Sequence, residues 1–325
     1  MKAKILRLLR ERDGYISGQE ICEKLAVSRT AVWKAVGQMK EEGYVIEAVQ
    51  NKGYRLSEVP DLVTREEIVS RLETEWAGRP TVFLEKTDST NNEAKRLAEA
   101  GASHGTLVVA EFQEAGKGRR GRSWASQRGT GIWMTILLKP EFPPAQAAML
   151  TLVAAMAVAD GIQEVTGLHA GIKWPNDIVL SGKKVCGILT EMSAEPDYIN
   201  HVVIGIGINA NIREFSEELR EKATSLLLER GRAVSRAAVI VAVWKAFERY
   251  YEKFLKTADL SLLRMAYEER LLNKGEAVSV LDPKGNWSGI AKGIDENGHL
   301  LVEAEGRTRA VDSGEVSVRG VYGYV

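Results

Sequence analysis

The segment between residues 116 and 122 carries the residue types best suited to chemistry. It reads Gly-Lys-Gly-Arg-Arg-Gly-Arg, so four cations lie among three glycines. Glycine lets backbone N–H groups approach an anion, and arginine forks bind phosphate or carboxylate oxygens bidentately. Because like charges repel, we expect this loop to be mobile when empty and to order around a polyanion. The alternative is a flexible, solvated basic loop that binds nucleic acid. The four cations are Lys117, Arg119, Arg120 and Arg122.

Gly116–Gly121 also satisfies the dinucleotide-binding pattern G-x-G-x-x-G, an assignment we reject. That pattern opens a helix in a βαβ unit, whereas residues 123–130 have a non-helical order and lead into a predicted strand, Ile132–Lys139. No G-x-x-x-x-G-K-[ST] motif occurs in the sequence. Trp124, just after the loop, offers a stacking face for a base. An indole that anchors the loop in the core is about equally compatible with the sequence.

Two later segments place polar groups beside turns. Residues 173–177, Lys-Trp-Pro-Asn-Asp, end an extended run at a proline-fixed turn, and Ser181–Lys184 is a hairpin turn leading into a strand. A lysine in such a place is usually on the surface. Beside a carboxylate substrate, however, Lys184 would neutralise that carboxylate and the phosphate reacting with it. Val202–Asn209, with two glycines, is a strand where a ligand approaches the backbone closely.

The first sixty residues predict a winged helix-turn-helix. Helices are expected over Ala3–Arg12, over Gly18–Leu25 behind a Ser17 capping box, and over Arg29–Glu42. Two short strands, Tyr44–Val49 and Gly53–Leu56, follow as the wing. No acid lies between residues 26 and 40, so we expect the third helix to enter a DNA major groove. A protein-interaction module is the alternative. The expected DNA-binding residues are Ser28, Arg29, Thr30, Lys34, Gln38, Lys52 and Arg55.

The whole chain has the composition of a globular protein, which excludes a disordered or collagenous one. Its 325 residues predict two or three domains, and its 44 basic and 44 acidic residues balance. Cys22 and Cys186 make neither a disulfide framework nor a zinc site, as is typical of a reducing cytosol. The longest apolar stretch, Ala145–Val165, contains polar residues and predicts a buried helix. We therefore expect a cytoplasmic protein that does not associate with a membrane.

Together these segments resemble the bifunctional biotin protein ligases that also repress biotin operons. The resemblance covers the whole chain. Its motifs are the winged helix, Asp88-Ser89-Thr90-Asn91, the Gly116–Arg122 loop, Lys173–Asp177, Lys184-Val185-Cys186-Gly187, Gly205–Asn209 and a β domain from about Gly275. It implies an α+β multidomain fold with a winged helix-turn-helix over residues 1–60 and a biotin- and ATP-binding domain over 65–272. That central domain would have a mixed sheet like class II aminoacyl-tRNA synthetases, and residues 275–325 would form a small SH3-like β-barrel.

The resemblance also implies an activity. Such enzymes form biotinyl-5′-AMP and pyrophosphate from biotin and Mg·ATP and then transfer biotin to a lysine of a carboxylase carrier domain. The adenylate serves as corepressor, and the liganded protein dimerises on operator DNA. Three alternatives remain at this point: a transcription factor that senses a small acid, a lipoate-type ligase, and a ligase whose winged helix no longer binds DNA.

The family pattern assigns roles to individual residues of this sequence. Lys184 and Arg119 would be catalytic, Asp177 would hold the metal, and Arg213–Thr224 would cover the adenylate. The biotin-binding residues would be Ser89, Thr90, Asn91, Gln113, Gly116, Lys117, Gly118, Arg119, Lys184 and Gly187. The ATP- or adenylate-binding residues would be Arg119, Arg120, Arg122, Trp124, Asn176, Lys184, Asn209 and Arg319. The acceptor lysine belongs to the carrier, so no covalent residue is needed in this chain.

Overall fold

The computed structural model describes residues 1–282, 285–313 and 317–320. The chain divides into two compact units, Met1–Leu72 and Glu73–Val325. The elements of the first unit are α1 (Lys2–Arg10), α2 (Gly18–Leu25), α3 (Arg29–Glu41), β1 (Val45–Val49), β2 (Gly53–Glu58) and α4 (Arg65–Arg71). Three helices followed by an antiparallel hairpin confirm the predicted winged helix-turn-helix.

Side-chain caps begin the helices of this unit where the sequence predicts them. The Ser17 hydroxyl accepts from the Glu20 backbone N–H at 3.0 Å, and Ser28 accepts from Ala31 at 3.2 Å. These bonds satisfy N–H groups that a helix start leaves without an intrahelical partner. The Glu20 carboxylate, expected to complete the capping box, instead pairs with Arg12 at 2.6 Å.

Helix α4, which we predicted to begin the central domain, is part of the first unit. Its Glu67 is 1% exposed and accepts from Arg10 Nη2 and from the Tyr44 hydroxyl, both at 2.7 Å. Burial opposes ionisation of Glu67, but the hydrogen bond and charge of Arg10 outweigh it and lower the pKa of this carboxyl. The buried pair therefore ties α4 to the winged helix.

A seven-stranded mixed sheet forms the centre of the second unit, as predicted. Its order is β3-β4-β5-β9-β8-β7-β6. Only the β3–β4 pair is parallel, and the five other pairs in this sheet are antiparallel. The strands are β3 (Thr81–Leu84), β4 (Leu107–Ala110), β5 (Gly131–Leu138), β6 (Gly171–Lys173), β7 (Asp177–Leu180), β8 (Lys183–Ala194) and β9 (Ile199–Asn209).

Helices α5 (Thr90–Glu99) and α6 (Leu150–Thr166) pack on this sheet, and α8 (Arg236–Leu255) packs on α6. Two short helices follow in the chain, α7 (Leu226–Arg230) and α9 (Arg264–Glu268), and α9 packs against β11 (Trp287–Ile294) of the C-terminal sheet. Consecutive side chains of a strand point to opposite faces, and on β8 Thr190 bonds Thr151 of α6 whereas Glu191 bonds Asn91 of α5. Helices α5 and α6 therefore lie on opposite faces.

Helix α6 is the predicted buried helix. Together with the turn before it, Pro144–Thr166 is long and apolar enough to cross a membrane, but 72% of the most apolar window is buried within this domain. Gly161 lets α8 approach, because a Cβ there would lie 2.7 Å from the Val243 backbone nitrogen. The segment is thus a core helix of this sheet domain.

A five-stranded antiparallel sheet ends the chain and confirms the predicted C-terminal β domain. Its order is β13-β12-β11-β10-β14. The indole N–H of Trp174, in the turn between β6 and β7, donates to the Gly298 carbonyl at 2.9 Å and joins this sheet to the central domain. Pro283 and Lys284, in a predicted turn, lie outside the described residues. The strands are β10 (Ala277–Leu281), β11 (Trp287–Ile294), β12 (Leu300–Ala304), β13 (Arg307–Val311) and β14 (Ser317–Gly320).

Candidate active site and DNA-binding surface

A cavity lies on the α5 face of the central sheet, between strands β8 and β9 and the basic loop. Nine of the ten residues predicted to bind biotin line it, and so do four of the eight predicted to bind the nucleotide. Residues separated by more than a hundred positions therefore meet at one place. The lining residues are Ser89, Thr90, Asn91, Gln113, Lys117, Gly118, Arg119, Trp124, Asn176, Lys184, Gly187, Ile188, Leu189, Gly205, Ile206 and Gly207.

A set of hydrogen bonds fixes the polar groups at the start of α5. The backbone N–H and the hydroxyl of Thr90 donate to Gln113 Oε1, at 2.8 and 3.1 Å. Thr135 Oγ1 lies 2.8 Å from Thr90 Oγ1 and 2.7 Å from Asn91 Oδ1. Ser89 is 2% exposed and is the N-cap of α5, yet its side chain makes no capping hydrogen bond. A serine at this position ordinarily caps the helix, so its hydroxyl remains available to a ligand.

Asn91 is held by protein atoms on both sides of its amide. Its Nδ2 donates to the Leu189 carbonyl at 3.2 Å and to the Glu191 carboxylate at 2.7 Å, and Lys95 holds that carboxylate at 2.6 Å. A Cβ on Gly205 would lie 2.1 Å from Asn91 Oδ1, so glycine alone leaves room for this amide. Asn91 thus fixes α5 to the cavity floor and has no remaining amide hydrogen for a ligand.

The basic loop forms a short hairpin. Lys117 and Ser123 make an isolated antiparallel bridge, and the Gly118 N–H donates to the Arg122 carbonyl at 2.7 Å. Arg120 at the tip has φ 56°, a left-handed conformation that is uncommon for residues other than glycine. The first two cations of the loop, Lys117 and Arg119, line the cavity, whereas Arg120 and Arg122 are exposed and lie outside its lining.

Arg119 is held from two sides. Its guanidinium donates to Asn176 Oδ1 at 2.9 Å and to the carbonyl of Ser313, which follows β13 in the C-terminal sheet. Burial lowers the pKa of Arg119, while the nearby Asp177 carboxylate favours its charged form. A half-buried arginine whose hydrogen-bond partners are neutral is well suited to bind an anion.

Lys184 and Asp177 form an ion pair at the other side of the cavity. Their Nζ and Oδ1 atoms are 2.5 Å apart, and Lys184 Nζ lies 5.2 Å from the centroid of the Trp124 ring. Lys173, 6% exposed, adds a second lysine to the same region, and burial lowers its pKa to about 8. Cations therefore outnumber carboxylates around Asp177, which favours an anionic ligand.

Trp124 lies inside the cavity against bare backbone. A Cβ on Gly187 or Gly207 would meet the indole at 2.7 or 2.8 Å, so these two glycines make the space that the ring occupies. The ring also makes an edge contact with buried Trp133, at 6.4 Å between centroids. Its Nε1 is buried without a protein hydrogen-bond partner. An aromatic face and an unused donor at this position suit recognition of a planar heterocycle.

Five of the residues predicted to bind biotin or the nucleotide lie outside the cavity lining, as does Asp177, the predicted metal ligand. The five are Gly116, Arg120, Arg122, Asn209 and Arg319. Gly116 is buried beneath the loop, where a Cβ would lie 2.5 Å from the Trp124 carbonyl oxygen. Asn209 is buried and donates to the Thr224 carbonyl at 3.0 Å. Arg319 is exposed on β14. Asn209 thereby fixes the end of the predicted covering segment, 213–224.

That segment runs beside the start of β8. The Lys184 N–H donates to the Lys222 carbonyl and the Thr224 N–H donates to the Lys184 carbonyl, both at 2.9 Å. Lys183 Nζ donates to the Arg220 carbonyl at the same distance. A rearrangement of residues 213–224 would therefore change the backbone hydrogen bonds of Lys184.

Comparisons with known proteins agree with this geometry. The model of the biotin/lipoate A/B protein ligase family matches residues 83–209, a helix-turn-helix model matches 2–55, and the biotin protein ligase C-terminal domain model matches 275–319. The bifunctional ligase/repressor BirA of Bacillus subtilis is 42% identical over 306 residues, which is 94% of each chain. The Escherichia coli BirA is 30% identical over 97% of this chain and 96% of its own. The chain belongs to the biotin protein ligase family.

A solved biotin protein ligase from Aquifex aeolicus, in complex with biotin and ATP, has a similar fold. The Aquifex structure and the present chain have a TM-score of 0.65 and are 34% identical, over 74% of the present chain and 98% of the Aquifex chain. The two BirA relatives extend the similarity over nearly the whole sequence, including the helix-turn-helix region.

The predicted DNA-binding residues are all exposed in the first unit. Ser28 caps α3, and the other members of the reading helix point away from its buried stripe. Arg55, on the wing, pairs with Glu47 at 2.8 Å and lies over the Tyr15 ring at 5.1 Å. This pairing had no signal in the sequence, because the two residues meet only through the register of β1 and β2.

Some site residues were missed from the sequence. Thr135 and Glu191 contact α5 from strands β5 and β8, and a polar residue that interrupts an apolar strand is the signal that could have found them. The Ser313 carbonyl has no such signal, since any residue supplies one. Trp33 is a further omission, with 68% of its surface exposed on α3.

Proposed function

We propose that this chain activates biotin with ATP to biotinyl-5′-AMP, transfers biotin to a carrier lysine, and represses biotin genes with the adenylate as corepressor. The observation that carries the proposal is the convergence of a buried hydroxyl and amide set with two half-buried cations, Arg119 and Lys184, and an indole in one cavity. Biotin needs both kinds of side chain. Its ureido ring requires hydrogen-bonding groups, and its carboxylate, at the other end of the molecule, requires cations.

At the ureido end, Ser89, Thr90 and Gln113 are suited to bind the ring. The Ser89 hydroxyl is buried and uncommitted to its helix cap, and Gln113 is positioned by Thr90. The backbone of Lys117 and the glycines beside it close over the ligand. The missing side chains of Gly187 and Gly207 make room for the Trp124 ring, and that of Gly205 makes room for the Asn91 amide.

At the carboxylate end, Arg119 and Lys184 hold the reacting groups together. One carboxylate oxygen of biotin attacks the α-phosphorus of ATP, the bond to the β-phosphate oxygen breaks, and pyrophosphate leaves. Two anions must approach each other, so cations placed between them lower the barrier by positioning and charge stabilisation. For Lys184 to act, its ammonium must exchange Asp177 for the substrate oxygens. Trp124 then stacks on adenine. Asn209 and the 213–224 segment complete the nucleotide site. The phosphates are bound by Arg120, Arg122 and Arg319.

Magnesium would be held chiefly through the phosphates of ATP, with Asp177 as the protein carboxylate and Asn176 beside it. Among the described residues there is no group of three His, Cys, Asp or Glu side chains that could hold a metal ion. One carboxylate together with substrate phosphates is the usual way in which proteins bind this ion. When bound, the metal supplies charge neutralisation on the departing pyrophosphate.

Transfer requires no nucleophile from this chain. The carrier lysine amine attacks the acyl carbon of the adenylate, an amide forms, and AMP leaves with the electron pair of the broken C–O bond. The same cations stabilise the charge that develops on AMP. The C-terminal sheet, which reaches the cavity through Ser313 and Arg119, is positioned to contribute to the carrier and nucleotide sites.

Repression follows from the winged helix. We infer that the adenylate favours a homodimer, which presents two reading helices to a two-fold operator. The chain would act in the cytoplasm, where its carrier substrate and the genome are both accessible.

Labelled biotin tests the enzymatic part. Incubation with ATP, Mg²⁺ and an apo biotin carrier domain is expected to label the carrier, and a carrier whose acceptor lysine is arginine is the control. Omitting ATP must abolish labelling, and excess lipoate must leave it unchanged. A carrier that stays unlabelled would contradict the proposal, and efficient competition by lipoate would assign the cavity to a lipoate-type ligase.

A further inference from the structure

Trp33 is a large apolar side chain on the outward surface of α3. It is 68% exposed, whereas Trp133, Trp174 and Trp244 are at most 2% exposed. At 100° per residue, Trp33 lies at the edge of the inner face, about 60° from Val36 on one side and about 60° from Thr30 on the other. That inner face consists of Val32, Ala35, Val36 and Met39. Trp33 therefore contributes nothing to the core of the winged helix.

Gly37 leaves the turn that follows Trp33 without a side chain. A helical side chain lies over the turn N-terminal to its own Cα, so a side chain at position 37 would lie over residue 33. A Cβ at Gly37 would meet no atom within 4 Å, and its φ is not positive, so neither packing nor backbone conformation calls for glycine. Glycine weakens the interior of a helix relative to alanine. The reason for a glycine at position 37 must therefore be sought in what the exposed surface of α3 contacts.

Charge indicates what this surface contacts. Arg29 and Lys34 lie within about one turn of Trp33 along α3, Lys40 lies about two turns beyond it, and the helix carries no acid before Glu41. A cationic surface of this kind attracts the phosphates of DNA and has no complementary charge for a basic protein partner. Within a major groove, the apolar group that base pairs present is the 5-methyl of thymine.

We propose that Trp33 packs its ring against a thymine methyl in each operator half-site and that Gly37 lets α3 lie close to the groove. This inference rests on the repressor part of the proposed function and adds the kind of base that the helix reads. Trp33 supplies apolar readout, whereas the neighbouring cations position the helix on the backbone.

The test begins with DNA selected from a randomised duplex pool by the full-length chain in the presence of biotin, ATP and Mg²⁺. Each thymine of the selected site is then replaced by deoxyuridine, which removes only the methyl group. At one position per half-site the wild-type protein should lose about fourfold in affinity, the equivalent of one buried methyl group. Trp33→Ala should bind more weakly and show no loss at that position, whereas Lys34→Ala should retain it.

Gly37→Ala provides a second variant that cannot fail by unfolding. The added methyl meets open space and favours the helix, so the melting temperature should rise, yet affinity for the selected DNA should fall severalfold. Wild-type affinity in Gly37→Ala, or a methyl dependence that survives in Trp33→Ala, would overturn the inference. If Trp33→Ala instead changes only dimerisation, measured by sedimentation, the ring serves a second copy of the chain and the thymine assignment is wrong. A wild-type protein that selects no sequence would remove the repressor function as well, which distinguishes the two failures.

Discussion

The cavity on the central sheet and the outer face of α3 use opposite physical strategies for recognition. In the cavity, polar groups are buried and fixed before a ligand arrives: Asn91 has both amide hydrogens engaged, and Gln113 is held by Thr90. On α3, Trp33 is exposed, and Gly37 leaves the neighbouring backbone open. A preorganised site increases the affinity for a small ligand. DNA binding instead requires an open surface that the groove of the duplex can approach. Substitutions should therefore act by distortion in the cavity and by loss of contact on α3.

The largest effect is expected for Lys184→Ala. We expect adenylate formation, measured by pyrophosphate release, to fall by about 10²–10³-fold, as when one preorganised donor to transition-state charge is removed. Biotin affinity should fall much less, because Lys184 acts mainly on charge that develops during the reaction. Equal losses in both quantities would contradict a transition-state role.

Lys245→Ala is the control for this experiment. Lys245 is an exposed lysine of α8 outside the cavity lining, and its ammonium pairs with Glu73 at 2.6 Å. Pyrophosphate release should therefore stay within about twofold of wild type, in line with the small effect of most surface substitutions.

Gly205→Ala tests whether the cavity depends on preorganisation. The new methyl would lie 2.1 Å from Asn91 Oδ1, so the amide and the start of α5 must shift. We expect the KM for biotin to rise by roughly tenfold or more, since displacement of a positioned group by even 1 Å is costly. Gly18→Ala, where the methyl would meet only the Tyr54 ring at 3.6 Å, is the control. An unchanged KM for biotin in Gly205→Ala would show that this floor is adaptable.

These two regions also differ in how far the sequence could predict them. Helical and strand patterns indicated the winged helix and the buried α6, whereas the mixed sheet was predicted from the resemblance to the family. The cavity residues were found through short motifs, yet the contact between Arg119 and the Ser313 carbonyl depends on the docking of two sheets. Likewise, Arg55 is paired with Glu47 through strand register. Helices, strands and short motifs can be predicted because they depend on residues that are neighbours in sequence. Contacts between backbone atoms and distant side chains cannot, because they depend on the tertiary fold.

Arg29→Ala should produce a smaller loss, confined to DNA binding. Arg29 is at the first position of α3 and is held by Gln19 Oε1 at 3.0 Å, which orients its guanidinium at the start of the reading helix. We expect about tenfold weaker binding to selected DNA, within the usual range for one well-placed arginine contact. Carrier labelling measured in parallel separates the two activities. A comparable loss of labelling would mean that the winged helix supports catalysis.

The smallest effect is expected from Glu47→Gln, and its sign is informative. The hydrogen bond from Arg55 is the largest cause that lowers the pKa of Glu47, to about 2, so this carboxylate is ionised at neutral pH and holds the guanidinium of Arg55. Removing its charge should release Arg55 to a phosphate and strengthen DNA binding about threefold, with a steeper dependence on salt. The melting temperature should hardly change, because exposed ion pairs contribute little to stability. Glu58→Gln makes the same charge change at another exposed residue of the wing and should have less effect on the salt dependence. If Glu47→Gln weakens binding instead, the pair positions Arg55 in advance, and the winged helix would share the preorganisation that characterises the cavity.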